Sequence, residues 1–588
     1  MGDAWHRRGR RNDHSPVPGR SYAHSPVSGR SYAHSPVPGR LYLAVIVTFL
    51  VVATTGCSAL PPGAGAGPTP QIEASTATPP QSEDTPQFGG TLVIQSNGLV
   101  QFDPIFVADD NSFFVVSNVF SLLFRRQGPD LFPDLATSWE YENDGAGVPR
   151  IVVFHLRQGV LWHDGNAVFP TGASREVVAD DVVYSIQRAV QTEGSTIAAD
   201  LIASFEAVEA LDRYTVRLTL KAPNALLFAV GRGLSGTAIV PREAVEQLGE
   251  DFALHPIGSG PFKFVEYRPD ESLTLERNDL YWNKPYLDRV VFRVIPDRDA
   301  AVIALETGEI DVLAGVPDTE FARLSADQRF VLYPGGCPSP TQLVFNMKNP
   351  LFSERQFRQA VAYALDGNAI GANVYGGMFV PGCGTAGPDV PGYDPDLCQY
   401  FPYDPERARA LLKELGWEDA GGDGVLDKDG RPMEFPLEIW NMSPMPQFGA
   451  AVAIQLKEVG IPVELQTVEF GTWIADWKAG VDKAMIVGGF CGDGGMNSLW
   501  GGLGMAPFMG YEDAEIFALL DQANAVVDPA ERDEVLRQAA DKIYSQYWAV
   551  PLGFRNSYQA SRSWVHDFHG AMWFMNLCTD YNNVWLTK

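Results

Sequence analysis

Residues 403–417, YDPERARALLKELGW, form a helix signal with defined ends. Asp404 suits the N-cap, Pro405 suits the first helical position, and Glu406 places negative charge in the first turn. Gly416 then ends the pattern, as glycine commonly does after a helix. This stretch therefore predicts one well-delimited amphipathic helix.

Strand signals occur elsewhere along the body of the chain. Residues 213–221, RYTVRLTLK, alternate apolar and polar side chains and predict a half-buried antiparallel strand. The denser apolar runs 151–156 and 290–295 predict more deeply buried strands. A further helix is expected over 354–365, capped by Ser353. Helix and strand signals that alternate in this way predict an α/β fold.

The first 57 residues carry the signals of export. A basic leader precedes a predominantly apolar run at 41–53, which is too short to span a bilayer and suits a secretory signal. Cys57 follows Thr54, Thr55 and Gly56 at the end of that run and resembles the cysteine of a bacterial lipobox. The resemblance implies cleavage before Cys57 and a lipid on its sulfur. A plain export signal or a short anchor is the alternative.

The segments around that apolar run cannot form a core. Near-copies of HSPVPG begin at His14, His24 and His34, and residues 58–87 are rich in Pro, Ala, Gly, Ser and Thr. We therefore exclude the leader, residues 1–56, from the fold. We interpret residues 57–87 as the lipid-attachment cysteine followed by a disordered tether.

Length and charge limit what the remaining body can be. Residues 88–588 are too many for one hydrophobic core, so two or three domains are expected. The formal net charge of the whole chain is −28, which argues against nucleic acid as a partner because phosphate binding needs basic patches.

Cysteine spacing suggests disulfide bonds. The sequence contains no CxxC pair, so it gives no indication of a zinc site. Cys383 and Cys398 bracket a Pro- and Gly-rich loop and are expected to pair. Cys337 with Cys491 is the next pairing, which leaves Cys578 odd. Spacing alone does not settle this connectivity.

Motifs for catalysis or for a resident cofactor are incomplete. Residues 231–236 match GxGxxG without a βαβ context, and residues 423–430, DGVLDKDG, lack the full ligand set of a calcium loop and predict a hairpin turn. There is no HExxH and no GxSxG, and nothing pairs a nucleophile with a base. We therefore expect a protein that is not an enzyme and holds no metal or cofactor; an exported hydrolase is the disfavoured alternative.

Ten stretches, in order along the chain, carry a family resemblance. They are GGTL (89–92), DP (103–104), PDLATSWE (133–140), FHLRQGVLWHDG (154–165), ADDVVYSIQRA (179–189), IGSGPFKF (257–264), RNDLYW (277–282), LETGEIDVL (305–313), NPLFSERQFRQAVAYALD (349–366) and YDPERARALLKELGW (403–417). Together they resemble the extracytoplasmic solute-binding proteins of ABC importers, in the oligopeptide- and dipeptide-binding family, family 5.

The resemblance implies a two-lobed, type II periplasmic-binding-protein clamshell. Lobe I would comprise 88–123, 243–336 and 555–588, with an inserted subdomain at 124–242, and lobe II would be 337–554. The chain would cross between the lobes near 337–346 and 548–554, and a hinge motion would close the lobes on a ligand.

The resemblance also implies a place and partners. A monomer, lipid-anchored to the outer face of the cytoplasmic membrane, would deliver its ligand to ABC permease subunits driven by cytoplasmic ATPases.

The family's peptide binders hold the substrate's α-ammonium with an aspartate after a Gly-aromatic step, and Asp493 matches that position. A cap for a Gly-rich turn is the other interpretation of Asp493. Segment 105–111 matches a strip that lines the cleft in relatives. The expected ligand-binding residues are therefore Asp493, Gly492, Phe490, Asp109, Asp110 and Asn346. Cys491 also matches a cysteine that some relatives bridge to the position of Cys337.

Two positions depart from the family. Relatives hold a peptide's carboxylate with arginines, whereas this chain has Val487 at one such place and Pro446-Gln447 at the other. Oligopeptides are the expected ligand. An oligosaccharide, an opine-like compound or a metal chelate is the alternative.

Overall fold

The computed structural model describes residues 85–107, 109–127, 130–145, 149–225, 234, 237–492, 494–502, 504–569 and 581–588. Cys57, Asp493 and Cys578 lie outside the described residues, as do the leader, most of the tether and most of 231–236. All described residues belong to one unit of the chain, 77–588.

The described strands and helices alternate along the chain. The strands are β1 Thr91–Ser96, β2 Phe124–Gln127, β3 Asp130–Pro133, β4 Ala136–Asn143, β5 Pro149–Leu156, β6 Phe205–Asp212, β7 Thr215–Leu220, β8 Phe262–Arg268, β9 Ser272–Arg277, β10 Arg289–Val294, β11 Val312–Leu313, β12 Phe330–Val344, β13 Phe379–Val380, β14 Asp427–Lys428, β15 Arg431–Pro432, β16 Phe435–Trp440, β17 Val463–Val468, β18 Ala484–Gly488, β19 Ala549–Arg562, β20 Val565–His566 and β21 Trp585–Leu586. The helices are α1 Asp110–Val119, α2 Ala179–Gln191, α3 Ala198–Ser204, α4 Arg242–Leu248, α5 Arg298–Thr307, α6 Phe321–Ser325, α7 Pro350–Ser353, α8 Arg355–Ala364, α9 Gly367–Tyr375, α10 Pro405–Glu414, α11 Met445–Glu458, α12 Phe470–Ala479, α13 Gly495–Trp500, α14 Ala514–Ala525 and α15 Pro529–Ser545.

One eleven-stranded sheet connects most of these elements. Its order is β17-β16-β18-β12-β19-β11-β1-β10-β9-β8, with β13 paired to β19. The long strands β12 and β19 run antiparallel from the pair Phe330–Arg562 to the pair Val344–Ala549. They lie in the middle of the sheet and join its two halves. These two strands overlap the ranges 337–346 and 548–554, where the crossings between lobes are predicted.

A separate antiparallel sheet, β4-β5-β7-β6, lies within the predicted inserted subdomain. Strand β7 buries Val216, Leu218 and Leu220 on one face, as the alternation of residues 213–221 predicts. This face shares a core with Leu92 of β1. The four-stranded sheet therefore packs onto the β1 half of the large sheet.

In the other half of the large sheet, strand β18 is buried on both faces. In β18, Ile486 belongs to one core, whereas Met485 and Val487 belong to the core on the opposite face. A strand covered on both sides reads as a continuous apolar run, as AMIVG does. The core changes along β12, from Tyr333 in the β1 half to Leu343 in the β18 half. This change agrees with two lobes; the exact domain limits stay predictions.

Helix caps show where local sequence decides structure. Asp404 caps α10 by accepting the Arg407 N–H at 3.0 Å, as predicted. The predicted cap at Ser353 is wrong. Ser353 ends the short helix α7 and its hydroxyl donates to the carbonyl of Pro350, so α8 begins after Glu354 without a side-chain cap.

A buried histidine stabilises a close contact between the glycine segment 258–260 and α1. A Cβ at Gly258 or Gly260 would overlap the backbone carbonyls of α1, so only glycine fits at these positions. His163 donates from Nε2 to the carbonyl of Gly260 at 2.9 Å and accepts the Gly258 N–H at 3.4 Å through Nδ1. Burial lowers the pKa of His163 to about 4.

The buried His163 predicts an acid-sensitive stability. Below the ordinary histidine pKa of about 6.5, the unfolded chain takes up a proton that the folded protein excludes down to about pH 4. The free energy of unfolding should therefore fall between pH 6.5 and pH 4, by about 2–3 kcal/mol at pH 4.5. Denaturant titrations at pH 7 and pH 4.5 measure this decrease. In His163→Gln the free energy of unfolding should decrease by about 2–3 kcal/mol less than in the wild type. His255→Gln, at an exposed position, is the control, and an unchanged pH dependence in His163→Gln would contradict the prediction.

Candidate ligand-binding site

The strand directions place two candidate segments opposite each other. β1 runs in the same direction as β12, because it is parallel to β11, and both β11 and β12 are antiparallel to β19. β18 is antiparallel to β12. The carboxyl ends of β1 at Ser96 and of β18 at Gly488 therefore point toward each other. Residues 334–340 of β12 lie between them, and ligands of open α/β sheets bind at such carboxyl ends.

The loop after β18 carries three of the residues expected to bind ligand, Phe490, Gly492 and Asp493. We call residues 488–494 the ligand loop. It contains positive φ angles at Gly489 (90°), Phe490 (61°) and Gly492 (80°), and the Gly495 N–H closes it by donating to the carbonyl of Gly492 at 2.9 Å. A non-glycine residue at positive φ costs roughly 1 kcal/mol or more, so the surrounding packing must hold Phe490 in place.

Aromatic packing supplies part of that support. The ring of Phe490 lies edge-on to Trp477, with centroids 6.1 Å apart, and Trp477 in turn contacts Trp473 at 4.8 Å. Trp473 and Trp477 are 2% and 1% exposed, so they form core rather than a stacking surface. Asp493 itself lies outside the described residues, and its role stays a prediction.

Methionines near the strand ends divide between core and surface. Met445 and Met496 are buried, whereas Met442, which follows β16, is 59% exposed. Of these three, only Met442 can offer an apolar surface to a ligand in this conformation. Val487, where the family resemblance leads us to expect an arginine, is 1% exposed and packs in the core.

In the segment after β1, acidic residues cap a helix and form an ion pair. Asp109 caps α1 by accepting the Ser112 N–H at 2.9 Å. Asp110 is the first residue of α1, and its side chain lies outside the described part. Asp103 forms a two-pronged ion pair with Arg188 at 2.8 and 2.5 Å, which ties this segment to α2. The segment is therefore held firmly at the carboxyl end of β1.

The structure corrects the expectation for Asn346. Its side chain has no exposed surface, its Nδ2 donates to the carbonyl of Val481, and its Oδ1 accepts the Lys348 N–H at 2.9 Å. Both functions of the amide are thus used by the backbone. We assign Asn346 to stabilising the turn after β12, and it is removed from the set of ligand contacts.

The crossing strands carry a charged pair. Arg555 of β19 pairs with Asp318 at 2.5 Å, and its guanidinium lies 5.9 Å from the ring centre of Tyr375. Burial raises the pKa of Tyr375 to about 12, so its phenol is neutral and shares a hydrogen bond of 2.6 Å with Thr341. This contact links α9 to β12 opposite Gly488.

The cysteines lie near the same region. Cys383 and Cys398 form a disulfide bond, with Cα atoms 5.3 Å apart. Cys337 and Cys491 share one small apolar cluster with Ala386, but Cys491 forms no disulfide within the described part of the chain. The second expected bridge is therefore absent from this structure, where the Cys337 thiol contacts the carbonyl of Pro338 at 3.9 Å.

Comparison with known proteins identifies the class. The sequence profile of the bacterial extracellular solute-binding proteins, family 5 Middle, matches residues 130–501. The chain belongs to this family. The two-lobed α/β fold expected from the sequence is confirmed by the solved structures to which the chain is similar. Among the described helices, none combines the length and hydropathy needed to cross a bilayer.

Individual relatives cover most of the chain. The oligopeptide-binding protein AppA of Bacillus subtilis is 28% identical over 520 residues, 83% of this chain and 90% of the relative. Its structure with a nonapeptide aligns with a TM-score of 0.65 at 26% identity, covering 86% of this chain and 100% of that one. DppA of Helicobacter pylori, in complex with the peptide STSA, aligns with a TM-score of 0.65 at 25% identity, covering 85% and 99%. Heme-binding protein A of Haemophilus influenzae is 27% identical over 485 residues, 77% of this chain and 84% of the relative.

The ligand loop passes so close to Gly495 that we expect any side chain at this position to destabilise the protein. A Cβ there would overlap the carbonyl oxygen of Phe490, so Gly495→Ala must displace the loop. We expect the free energy of unfolding to fall by about 1–3 kcal/mol. Gly471→Ala in α12, where no heavy atom lies within 4 Å of the added carbon, is the control and should be neutral or slightly stabilising. Equal effects in denaturant titrations of the two variants would contradict this geometry.

Proposed function

We propose that this protein is the solute-binding component of an ABC importer and that its solutes are peptides. The observation that carries the proposal is the arrangement of β1 and β18, whose carboxyl ends face each other across the crossing strands β12 and β19. A ligand between these ends would contact both lobes at once. It would then be delivered to membrane permease subunits driven by ATPases.

The relatives support a peptide as the solute. AppA and DppA, with 26% and 25% identity in the structural alignments, bind a nonapeptide and the peptide STSA. The sequence around Asp493 offers a carboxylate for a peptide's α-ammonium. An ammonium taken out of water needs such a fixed counter-charge to offset its lost hydration.

The crossing strands support closure by a hinge. Pairing between β12 and β19 shifts register between Gly335 and Ser339 and again between Pro340 and Gln342. Prolines in this stretch have no N–H to donate, so the ladder has fewer hydrogen bonds there than in a regular pair. A sheet with a weakened ladder at its middle can bend without losing the packing of either half.

A non-peptide solute is the second candidate. The family resemblance expects arginines at two places, where this chain has the buried Val487 and Pro446-Gln447, so neither place offers a cation for a peptide's carboxylate. The similarity to heme-binding protein A favours a metal chelate within this alternative. An oligosaccharide or an opine-like compound would use the same site.

We infer that Cys57 carries a lipid and that residues 58–87 tether the body to the outer face of the cytoplasmic membrane. The apolar run that ends just before Cys57 and the Pro-rich segment after it support this arrangement. The protein would then act as an anchored monomer without catalytic turnover.

Calorimetry with purified residues 85–588 tests the solute. We expect the tetrapeptide STSA or the dipeptide Met-Leu to bind, and Asp493→Asn to weaken binding about 10- to 100-fold, because a charge-assisted hydrogen bond contributes about 1.5–3 kcal/mol. N-acetylated peptides should bind weakly to the wild type and should not distinguish it from Asp493→Asn.

Asp270→Asn is the matched control, since Asp270 is an exposed turn residue with a positive φ of 59° that asparagine tolerates. Equal peptide affinities for the wild type and Asp493→Asn would remove Asp493 from the site. Failure of all peptides, together with binding of heme, an oligosaccharide or an opine, would establish the second candidate instead.

The anchor is tested separately. The full-length precursor expressed in a bacterial host should sediment with the membranes, because a lipid on Cys57 holds it there. Cys57→Ala should release the protein into the soluble extracytoplasmic fraction. Membrane retention of Cys57→Ala, measured by immunoblotting of the fractions, would show that another segment anchors the chain.

A further inference from the structure

A ring of buried hydrogen bonds lies beside the ligand loop. Its members are Gln342 on β12, Thr385 on the disulfide-closed loop, Tyr544 on α15 and Trp500 on α13, and each is at most 1% exposed. Thr385 Oγ1 lies 2.8 Å from Trp500 Nε1, 2.8 Å from the Tyr544 hydroxyl and 3.4 Å from Gln342 Nε2. Tyr544 donates to Gln342 Oε1 at 2.7 Å.

The chemistry of these groups fixes the direction of every bond. The Tyr544 hydroxyl has one proton, which goes to Gln342, so Thr385 must donate its own proton to the Tyr544 oxygen. Thr385 Oγ1 then accepts from Trp500 and from Gln342. A hydroxyl has one donor and two acceptor sites, so Thr385 is fully satisfied.

Each partner of Thr385 leads to the ligand loop or to the crossing strands. Trp500 ends α13, the helix that begins directly after the ligand loop. Gln342 pairs across the sheet with Val487, the residue before Gly488. The hydroxyl of one residue thus joins the entry of the loop, through β12, and its exit, through α13.

The rest of the disulfide-closed loop, residues 383–398, contacts the same elements. Ala386 and Val390 pack in the cluster that also holds Cys491 of the ligand loop. Gly387 lies against Pro338 of β12 and Phe554 of β19, close enough that a Cβ there would sit 3.0 Å from Pro338 Cβ. The closed loop therefore supports the ligand loop at Cys491 and both crossing strands.

We propose that Thr385 is a positioning residue for solute binding: through the buried ring it fixes the ligand loop relative to the crossing strands. Thr385 itself is only 1% exposed, so it would act without contacting solute. Loss of the Thr385 hydroxyl would leave the Trp500 N–H, the Gln342 amide and the Tyr544 oxygen without their shared partner. Because this region is closed to water, no solvent molecule would replace the hydroxyl, and α13 would gain freedom to move. The proposal rests on the proposed function for its effect on affinity, but not for its effect on the loop.

Hydrogen exchange of the free protein tests the loop without any solute. In Thr385→Val, which keeps the shape of the side chain, we expect backbone amides of 494–502 to exchange at least about tenfold faster than in the wild type. Thr385→Ser, which restores the hydroxyl, should exchange like the wild type. Trp500→Phe removes the same bond from the other side and serves if Thr385→Val does not fold.

Ser185→Ala is the matched control. Ser185 carries a buried hydroxyl in α2 that donates to the carbonyl of Asp181 at 2.7 Å and accepts the Val240 N–H at 2.9 Å, and Val240 belongs to the core of the β1 half. Its removal costs a comparable pair of hydrogen bonds elsewhere. Exchange at 494–502 should stay at the wild-type rate in Ser185→Ala.

Calorimetry with STSA completes the test, with an expected loss of affinity of about tenfold in Thr385→Val and little loss in Thr385→Ser and Ser185→Ala. Unchanged exchange at 494–502 in Thr385→Val would overturn the proposal. Faster exchange with unchanged STSA affinity would overturn its link to solute binding. Faster exchange in Thr385→Val when the wild type binds no peptide would support the positioning role and count against the peptide function alone.

Discussion

The pairing of β12 with β19 is the constraint on which the rest of the structure depends. These two strands are long enough to belong to both halves of the sheet, and each half builds its own hydrophobic core around one end of them. The pairing sets the direction of β1 on one side and of β18 on the other. As a result, the loops at their carboxyl ends face the same space, and a solute bound there, as we propose, would lie between elements from both cores.

Stiffness is distributed unevenly around this space. The ligand loop depends on glycines at Gly489, Gly492 and Gly495, and it places an aromatic residue, Phe490, in a conformation that such residues avoid. Packing against Trp477 supports Phe490, and the buried ring of hydrogen bonds holds Trp500 of α13, the helix that follows this loop. The irregular middle of β12 is the opposite case, because its prolines and register shifts reduce the number of bonds that a bending motion must break. A rigid binding surface beside a compliant connection is the arrangement that a closing receptor needs.

Much of the fold follows from local sequence. The strand over 213–221 and the helix begun by Asp404 appear where alternation and capping rules place them, because these signals act between neighbours in the chain. The candidate site can be predicted less completely from local sequence. Asn346 matched a functional region by position, yet its amide is used by the carbonyl of Val481, a contact over 135 residues that no local pattern encodes.

The predicted cap at Ser353 and the predicted disulfide between Cys337 and Cys491 are not found, for a related reason. Ser353 has the right residue type for a cap. However, Asn349 caps the separate short helix α7, and Ser353 is the last residue of that helix. Cys337 and Cys491 come close, yet disulfide geometry depends on side-chain directions that spacing does not supply. The ring around Thr385 joins four separate elements, so no single stretch of sequence announces it.

The half of the sheet that contains β1 is completed by residues from the far end of the described chain. Leu586 packs against Gly90, and the Tyr581 N–H donates to Asn118 across 463 residues. A ribosome releases Gly90 and Asn118 long before these partners exist. Such contacts make folding slow, since a very long loop must close before any of them forms. The β1 half therefore cannot complete its packing until residues 581–586 have been made, whereas the cores of the other half draw only on residues 343–552.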